Sequence, residues 1–528
     1  MKEDELFTTG DSEAIWDKYC GFFDLSITEF MEIQTSLLKE QIDLISESQL
    51  AKNIMKGKKP KTVDDFRQLV PLTTYEDYVP FIGHCQEDAL AEKPYRWVHT
   101  SGRGGSPKWI PYTHRGFERL GLLGVTVLIL ACAYNKGEVL INRDTNYLQN
   151  LPPKPFYSGS AIDAMLELLP LHVIPPVELA ERLSFEERIQ AGFEIGLRTG
   201  IDVLGALTTI LIKMGEQFTD NSRQMKLTLN MLHPKVFLRI IRAVIISKLQ
   251  KRTILPKDLW PLKGLLCYGM DTSIYREKLR YYWGKEPLEI YGGTEAGAIA
   301  IQSWNRKGMT FYPYGCFLEF IPEGELAKHR ENKDYQPATV LLDGVQKDKY
   351  YEVVITNFYG MPVLRYRVGD IIKIIDLQDE EAGIQTPQMM FETRCDDIID
   401  IAGFTRIDER NIWQAIANTG VNYADWTIRK EYEEGKSILH LYIETKEVIG
   451  SDELRHLIHE ELRHVSEDYT NLGDMLGIEP LKLTLLPQGS FRHYYEKKRK
   501  AGSDLAHLKP PHMNATDEVI KDLLGNQT

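Results

Sequence analysis

The most regular pattern near the start of the chain is a set of apolar residues at helical spacing between residues 26 and 48. Ser26 and Glu29 precede them at the S-x-x-E spacing of a capping box, in which each residue bonds the other's backbone N–H. The pattern therefore predicts an amphipathic helix that begins after Ser26. Its apolar positions are Phe30, Ile33, Leu37, Leu38, Ile42 and Ile45.

Other stretches carry the same signal. Residues 62–82 predict two helices separated by Pro71, because proline cannot donate the backbone hydrogen bond that a helix interior needs. Apolar helices are also predicted within 116–134, 198–215 and 234–250. These segments supply most of the predicted helical layers.

Short β-branched or alternating runs lie between the helices. They predict strands at 138–143, 315–321 and 350–357. Helices and strands that alternate at this spacing are typical of a layered α/β core. We therefore expect an α/β fold with helices packed on β-sheets.

The pattern also predicts a second, smaller domain. Residues 376–388 are polar and contain a glycine and a proline, which indicates a loop or hairpin. Beyond this loop, 440–446 alternates like a strand and 452–464 has helical periodicity. We therefore predict a large domain at 1–392 and a compact α+β domain at 393–528.

Composition and charge narrow the class of protein. The chain has 528 residues, of which 43% are hydrophobic and 26% charged, as in ordinary globular proteins. Its formal net charge is −13, with acidic and basic residues interspersed. Because nucleic-acid-binding proteins usually carry a basic face, no nucleic-acid partner is expected. An acidic chain that binds an anion needs local compensation from cations and backbone N–H groups.

The cysteines, the N-terminus and the apolar runs indicate the cellular compartment of the protein. The six cysteines form no C-x-x-C pair, which predicts reduced thiols. The N-terminus is charged and polar, so no secretory signal is expected. The most apolar run, residues 120–134, is shorter than the roughly 18 residues of a membrane span. We therefore predict a cytoplasmic protein without membrane insertion.

The segment TSGRGGSPK, residues 100–108, is the first candidate for chemistry. Its glycines allow consecutive backbone N–H groups to surround an anion, and Arg103 and Lys108 supply positive charge. It lacks the G-x-x-x-x-G-K-[ST] spacing of a P-loop. On its own this segment is either a phosphate-binding loop or an ordinary turn.

Three further motifs follow in order along the chain. YGGTE at 291–295 places a hydroxyl beside a carboxylate after a glycine turn. YRVGD at 366–370 places an aspartate after a glycine at the end of a strand-like run, and TRCDD lies at 393–397. Chance would rarely assemble one anion loop and these three motifs in one chain.

This order resembles the adenylate-forming superfamily of acyl-CoA synthetases, luciferases and peptide-synthetase adenylation domains. The first segment is similar to its T-S-G-[ST]-[ST]-G-x-P-K loop, and the others to Y-G-x-T-E, Y-R-x-G-D and G-R-x-D-D. A narrower resemblance, to the GH3 family of acyl acid amido synthetases, lies at 64–82 and 489–513. In the latter tail Leu508 and His512 replace a glutamine and an arginine of the family pattern.

The resemblance implies the adenylate-forming enzyme fold: a large multi-layer N-terminal domain of helices on β-sheets, and a small mobile α+β C-terminal domain. It implies ATP and Mg²⁺ as cofactors. Thr294 would bond the α-phosphate, Glu295 would hold the metal, and Asp396 would be the hinge. Gly269 would border the acyl pocket. The implied ATP- and AMP-binding residues are Thr100, Ser101, Gly102, Arg103, Gly104, Gly105, Lys108, Tyr291, Gly292, Gly293, Thr294, Asp370 and Arg394.

The implied reaction is attack of a carboxylate on the α-phosphorus of ATP, loss of pyrophosphate, and transfer of the acyl group to an amine such as an amino acid. Two alternatives stay open: an acyl-CoA ligase that transfers to CoA, and a catalytically silent nucleotide-binding homologue. Partners are therefore a small carboxylic acid and an amine, or CoA.

Two departures from the superfamily pattern bear on activity. Arg103 and Gly104 stand where hydroxyl residues are usual. The C-terminal adenylation lysine has no clean counterpart; Lys509 is the first candidate for this catalytic role, and Lys497 or Lys498 the next. The H-x-x-H-E-E-L-R-H run at 456–464 lacks metalloprotease spacing, so we interpret it as a solvated helix.

Overall fold

The structure is a computed structural model of the chain. It describes residues 3–100, 108–222, 233–268, 272–332, 334–395, 398–401, 405–433, 436–466, 469–470, 480–500 and 512–525. The described chain divides into two compact units. The larger contains residues 3–100, 108–368 and 372–391, and the smaller contains Gly369–Ile371 and the described residues from Glu392 onward.

The helices of the described residues begin and end as follows: α1 Glu3–Thr9, α2 Ser12–Cys20, α3 Ile27–Ile45, α4 Gln49–Ile54, α5 Val63–Leu69, α6 Val79–Ile82, α7 His114–Cys132, α8 Tyr157–Leu168, α9 Val177–Ala180, α10 Phe185–Thr199, α11 Thr208–Ser222, α12 Pro234–Leu249, α13 Pro256–Leu259, α14 Thr272–Trp283, α15 Glu323–Glu331, α16 Glu409–Asn418, α17 Ser451–Val465, α18 Ser490–Lys500 and α19 Asp517–Leu524. Short 3₁₀ helices lie at Gly21–Asp24, Tyr75–Asp77 and Leu342–Gly344.

The strands are β1 Arg96–His99, β2 Trp109–Tyr112, β3 Asn146–Gln149, β4 His172–Ile174, β5 Val203–Leu207, β6 Gly264–Tyr268, β7 Leu288–Gly293, β8 Gly297–Gln302, β9 Met309–Phe311, β10 Cys316–Pro322, β11 Tyr350–Asn357, β12 Tyr366–Asp376, β13 Gln388–Arg394, β14 Ile398–Ile401, β15 Thr405–Asp408, β16 Tyr423–Glu433, β17 Lys436–Thr445 and β18 Leu481–Leu485.

One large sheet organises the first unit. Its strand order is β10-β11-β12-β13-β9-β8-β7-β6-β5-β3-β4. The strands from β7 to β4 pair in parallel, whereas β7 pairs antiparallel with β8, and β8 pairs antiparallel with β9. The sheet therefore changes from parallel to antiparallel at β7. Helix α7, which is buried from Val125 to its end, packs against β5, β6 and β8.

The smaller unit is built on a second sheet. Strands β16, β17 and β18 lie side by side, with β16 and β17 antiparallel over ten paired positions. Helices α16 and α17 pack together, and α17 also packs against β18. The predicted strand at 440–446 and helix at 452–464 are confirmed within β17 and α17. What each domain does stays a prediction.

Helix α3 confirms the first sequence prediction. Ser26 and Glu29 form the capping box, with the Ser26 N–H donating to Glu29 Oε2 at 2.8 Å. Two glutamines that the apolar pattern overlooked are nevertheless buried on this helix. Gln34 donates to the carbonyls of Pro313 and Cys316 and accepts from the Leu318 N–H, so it bonds the start of β10.

Most other sequence predictions are confirmed, including α7, α12, β10, β11 and the loop at 376–388. The helix predicted across 198–215 is confirmed at 208–215, which lie in α11, but is wrong at 200–207. Helix α10 ends at Thr199, and 203–207 forms β5 in the middle of the sheet. Periodicity alone cannot decide whether a short apolar run forms a helix or a buried parallel strand. Gly205 faces the Tyr147 hydroxyl so closely that a Cβ atom would lie 2.5 Å from it.

The strand predicted at 138–143 is also wrong. Those residues form no strand, and the sheet instead uses β3 at Asn146–Gln149. None of the six cysteines, all of which lie among the described residues, forms a disulfide, and four of them are buried. In the described part of the chain, none of the helices is both long and apolar enough to cross a bilayer.

The buried Gln34 generates a stability prediction. Replacing Gln34 with Leu leaves two carbonyls and one N–H of the β10 region without partners, so we expect the free energy of unfolding to fall by at least about 2 kcal/mol. Urea unfolding followed by circular dichroism measures this loss. The exposed loop variant Gln378→Leu serves as control and is expected to change stability little. Equal stability of the two variants would contradict the prediction.

Candidate active site

The YGGTE segment lies where the sheet changes direction. Tyr291, Gly292 and Gly293 form the carboxyl end of β7, and Thr294 and Glu295 form the turn into β8. In open α/β sheets, ligands bind outside the carboxyl ends of parallel strands at such switch points. The fold thus places the predicted hydroxyl–carboxylate pair where a ligand site is expected.

Backbone contacts hold this turn in place. The Tyr112 hydroxyl donates to the carbonyl of Thr294 at 2.8 Å, and Asn357 Nδ2 donates to the carbonyl of Glu295 at 2.6 Å. Burial raises the pKa of Tyr112 well above its usual value, so its hydroxyl stays protonated and remains a donor. Thr294 is buried and Glu295 half-buried, so their side chains are presented from a rigid backbone.

The ends of the glycine-rich segment are tied to each other. The Thr100 N–H donates to the Lys108 carbonyl at 3.0 Å, and the Lys108 N–H donates to Thr100 Oγ1 at 3.2 Å. Tyr75 supports this pair, because its hydroxyl accepts from the Trp109 N–H and Lys108 Nζ lies 5.0 Å from its ring centroid. The predicted residues Ser101, Gly102, Arg103, Gly104 and Gly105 lie outside the described residues.

Tyr366 joins the loop end to the Thr-Glu turn. Lys108 Nζ donates to Tyr366 Oη at 3.4 Å, and Tyr366 Oη donates to Glu295 Oε1 at 3.3 Å. A cation, a phenol and a carboxylate therefore form one hydrogen-bonded series. Its members come from three motifs, and the outermost two, Lys108 and Tyr366, lie more than 250 residues apart in the sequence. Tyr366 opens the YRVGD motif, but nothing in the sequence pattern predicts its position between these two groups.

Tyr291, the predicted adenine neighbour, is buried, and its ring centroid lies 5.9 Å from that of Phe391. Gly292 is exposed and Gly293 half-exposed. The backbone of these two glycines is therefore accessible, while the tyrosine ring is fixed by packing. The adenine role of these residues stays a prediction.

In the smaller unit, Asp370 and Arg394 lie together. Arg394 Nη1 is 3.0 Å from Asp370 Oδ1, and the Cys395 N–H donates to the Gly369 carbonyl at 2.7 Å. Gly369 has φ +78°, a backbone conformation that favours glycine. The structure thus brings together the two residues predicted to contact ribose and phosphate. Their contact with a nucleotide stays a prediction.

Three other predicted residues, Gly269, Asp396 and Lys509, lie outside the described residues. The two alternative lysines are engaged on the surface of the smaller unit. Lys497 Nζ lies 2.7 Å from Asp522 Oδ1, and Lys498 Nζ lies 5.6 Å from the Tyr494 ring centroid. The adenylation role of Lys509, and of the two alternative lysines, stays a prediction.

His512 stands where the C-terminal pattern of the GH3 family has an arginine. It is buried and contacts two carboxylates. Its Nδ1 lies 2.6 Å from Glu409 Oε1 and its Nε2 lies 2.9 Å from Asp425 Oδ1, and its ring stacks on Trp426. Burial alone lowers the pKa of His512, but the hydrogen bonds to Asp425 and Glu409 outweigh it and raise the pKa to about 9. The protonated His512 therefore joins Glu409 of α16 to Asp425 of β16.

Sequence models of the GH3 family N-terminal, central and C-terminal domains match residues 20–198, 309–394 and 410–518. The chain belongs to the GH3 family. The YGGTE segment lies between the first two matched regions, so its interpretation rests on the geometry above.

Two curated relatives are about one quarter identical to this GH3 protein over the aligned half of their length. Jasmonoyl–L-amino acid synthetase GH3.5 of Oryza sativa subsp. japonica is 27% identical over 293 residues, 51% of this chain and 48% of the relative. The GH3 domain-containing protein of Mus musculus is 24% identical over 278 residues, 49% of each chain. The chain thus spans about half the length of these relatives.

Solved structures share the fold over a longer span. The AtGH3.15 acyl acid amido synthetase in complex with 2,4-DB has a TM-score of 0.67 at 18% identity, covering 97% of this chain and 96% of that one. A 2-hydroxyisobutyryl-CoA ligase in the postadenylation state has a TM-score of 0.61 at 14% identity, covering 90% and 94%. The predicted adenylate-forming fold is therefore confirmed.

The two glycines of YGGTE give a matched pair of variants. A Cβ on Gly292 would lie 2.0 Å from the Gly297 carbonyl oxygen, whereas a Cβ on Gly293 would meet only Glu295 Oε2 at 3.4 Å. We expect Gly292→Ala to lower the free energy of unfolding by about 1–3 kcal/mol, because rigid backbone must move. Urea unfolding measures the effect. Gly293→Ala is the control, and equal losses in both variants would contradict the prediction.

His512 gives a pH prediction. Its folded pKa of about 9 exceeds the ordinary 6.5, so its stabilising contribution is fully present below about pH 6.5 and is lost as pH rises through about 9. We expect the melting temperature of the protein to fall between pH 7 and 9.5, and His512→Gln to flatten that fall. The variant at exposed His464, His464→Gln, should keep the wild-type dependence. A wild-type pH profile in His512→Gln would show that the histidine is not the titrating group.

Proposed function

We propose that this GH3 protein uses ATP to activate a carboxylic acid and then joins the acyl group to an amine. The observation that carries the proposal is the hydrogen-bonded series from Lys108 through Tyr366 to Glu295. It brings the end of the glycine-rich segment beside the hydroxyl–carboxylate turn at the sheet switch point. Relatives named jasmonoyl–L-amino acid synthetase and indole-3-acetic acid-amido synthetase support an amino acid as the amine.

The first step is displacement at phosphorus. A substrate carboxylate oxygen attacks the α-phosphorus of ATP, the bond to the bridging oxygen breaks, and pyrophosphate leaves with the electron pair. Both reactants are anions, so the site must neutralise charge and align the attack. Lys108 supplies positive charge at the end of the loop, and the Thr294 hydroxyl donates toward the α-phosphate.

The second step is acyl transfer. A neutral amine attacks the acyl carbonyl carbon, the bond from carbon to the AMP oxygen breaks, and the nitrogen loses a proton. The products are an amide and AMP. Asp370 and Arg394 are proposed to hold the ribose and phosphate through both steps, Lys509 to assist adenylation, and Asp396 to act as the hinge of the small domain.

Glu295 fits the proposed Mg²⁺ site. Mg²⁺ in nucleotide sites is commonly held by one or two carboxylates together with phosphate oxygens and waters. No cluster of three acidic, histidine or cysteine side chains able to hold a metal is found among the described residues. Glu295 is half-buried and its Oε1 accepts from Tyr366, which orients the carboxylate. When bound, the ion would neutralise phosphate charge.

The deciding experiment is pyrophosphate release with ATP and Mg²⁺ across a panel of carboxylic acids, each tested with mixed amino acids, with CoA and with neither. Turnover sustained by amino acids supports the proposal, and turnover sustained only by CoA replaces it with an acyl-CoA ligase. Glu295→Ala should abolish release. No release with any acid, together with ATP binding by calorimetry, would identify a silent nucleotide-binding protein.

Tyr366 gives a sharper test of the site. Tyr366→Phe keeps the ring but removes the hydroxyl that joins Lys108 to Glu295, so we expect kcat for pyrophosphate release to fall about tenfold. Tyr359→Phe is the matched control, because the Tyr359 hydroxyl donates to the Tyr314 carbonyl instead. An unchanged kcat in Tyr366→Phe would remove the hydrogen-bonded series from the mechanism.

A further inference from the structure

Helix α12 turns large apolar side chains outward. The fractional exposures are 55% for Phe237, 66% for Leu238, 38% for Ile241, 53% for Ile245 and 79% for Leu249. At 100° per residue these five positions fall within an arc of about 120°. We call this set the α12 outer face. A helix of a soluble protein normally points such a stripe toward the core.

The opposite side of α12 explains why the helix cannot simply rotate. Val236, Ala243 and Ser247 are buried there, and these small side chains allow close packing. Arg239 Nη1 donates to the Leu197 carbonyl at 2.6 Å, near the carboxyl end of α10. Ile240 packs against a buried apolar cluster that includes Leu204 and Trp260. The orientation of the helix is therefore determined by packing, and the outer face is a stable feature.

The charge of α12 is opposite to that of the chain. The helix contains Lys235, Arg239, Arg242 and Lys248 and no acidic residue, whereas the whole chain has a net charge of −13. Lys235, Arg242 and Lys248 are exposed, and no ion pair links them to other described residues. On the helical wheel Arg242 and Lys235 border the apolar arc, and Lys248 lies within it.

We propose that the α12 outer face binds the surface of an anionic lipid bilayer, with the helix lying in the plane of the interface. A helix with a wide apolar arc bordered by Lys and Arg inserts its apolar side chains at the headgroup boundary, while its cations meet anionic headgroups. Contiguous exposed apolar patches on soluble proteins mark interaction sites. The helix lies on the bilayer and does not cross it.

Charge argues against a second copy of this chain as the occupant. A symmetric pairing would bring two cationic helices together across an interface, and like charges in close juxtaposition are unfavourable. An anionic bilayer instead offers apolar depth and negative charge in one surface. The proposal does not depend on the reaction proposed above, because none of its residues belongs to the candidate active site.

The apolar contribution is tested by sedimentation of the full chain with vesicles. We expect binding to 70:30 phosphatidylcholine–phosphatidylserine vesicles, little binding to phosphatidylcholine alone, and at least tenfold weaker binding at 300 mM than at 50 mM NaCl. The double variant Ile245→Glu, Leu249→Glu should bind at least tenfold more weakly. Val448→Glu is the control, because Val448 is fully exposed in the smaller unit.

The charge contribution needs its own pair of variants. Arg242→Gln combined with Lys248→Gln should weaken vesicle binding and reduce its salt dependence. Lys58→Gln combined with Lys446→Gln removes two exposed cations elsewhere and should leave binding unchanged. An unchanged circular dichroism spectrum and urea unfolding midpoint in every variant would show that the fold is intact.

Three results would overturn the proposal. The first is no binding to vesicles at any phosphatidylserine content. The second is binding that the Ile245→Glu, Leu249→Glu variant leaves unchanged. The third is a wild-type dimer in equilibrium sedimentation that this variant dissociates, which would assign the outer face to a second copy.

Discussion

The buried pair of Arg365 and Glu319 is the contact on which the arrangement of the candidate site depends. Arg365 Nε and Nη2 donate to the two carboxylate oxygens at 3.0 and 2.9 Å, and Nη1 donates to the Val70 carbonyl at 2.6 Å. Removing two charges from water is costly, and only such complete hydrogen bonding offsets it. Because Arg365 directly precedes Tyr366, the pair fixes β10, the end of α5 and the start of β12 around that tyrosine. Losing one partner would leave a buried charge beside the site.

The direction change of the large sheet explains why these residues meet. A parallel strand ends at the same edge as its parallel neighbours, whereas an antiparallel partner returns from that edge. At β7 both arrangements occur on one strand, so the Thr294–Glu295 turn projects from the edge where parallel strands end. Tyr112, from a separate two-stranded sheet, and Asn357, from β11, then hold the turn by its backbone. A rigid backbone here keeps the side chains of the turn in position, so that they can stabilise developing charge without rearranging.

Net charge describes this protein poorly, because an acidic chain still places single cations and one basic helix at particular sites. The chain is acidic overall, yet Lys108 lies in the candidate active site and α12 carries four basic residues without an acidic one. On the smaller unit a cation is instead buried: His512 lies between Glu409 and Asp425. The electrostatic environment of each of these groups depends on its immediate neighbours, because salt screens the effect of distant charges.

The sequence by itself determined the local features and the family. The capping box of α3, the long apolar helix α7, the strands β10 and β11 and the order of the four motifs could all be predicted, because each depends on periodicity or on residues close in the chain. The tertiary structure alone decided the rest. It made 203–207 a central strand rather than helix, left 138–143 outside the sheet, and buried Gln34 against β10, since each outcome depends on partners distant in sequence. Tyr366 acquired its position between Lys108 and Glu295 in the same way, because a phenol can bridge two groups only after folding has placed both within hydrogen-bonding distance.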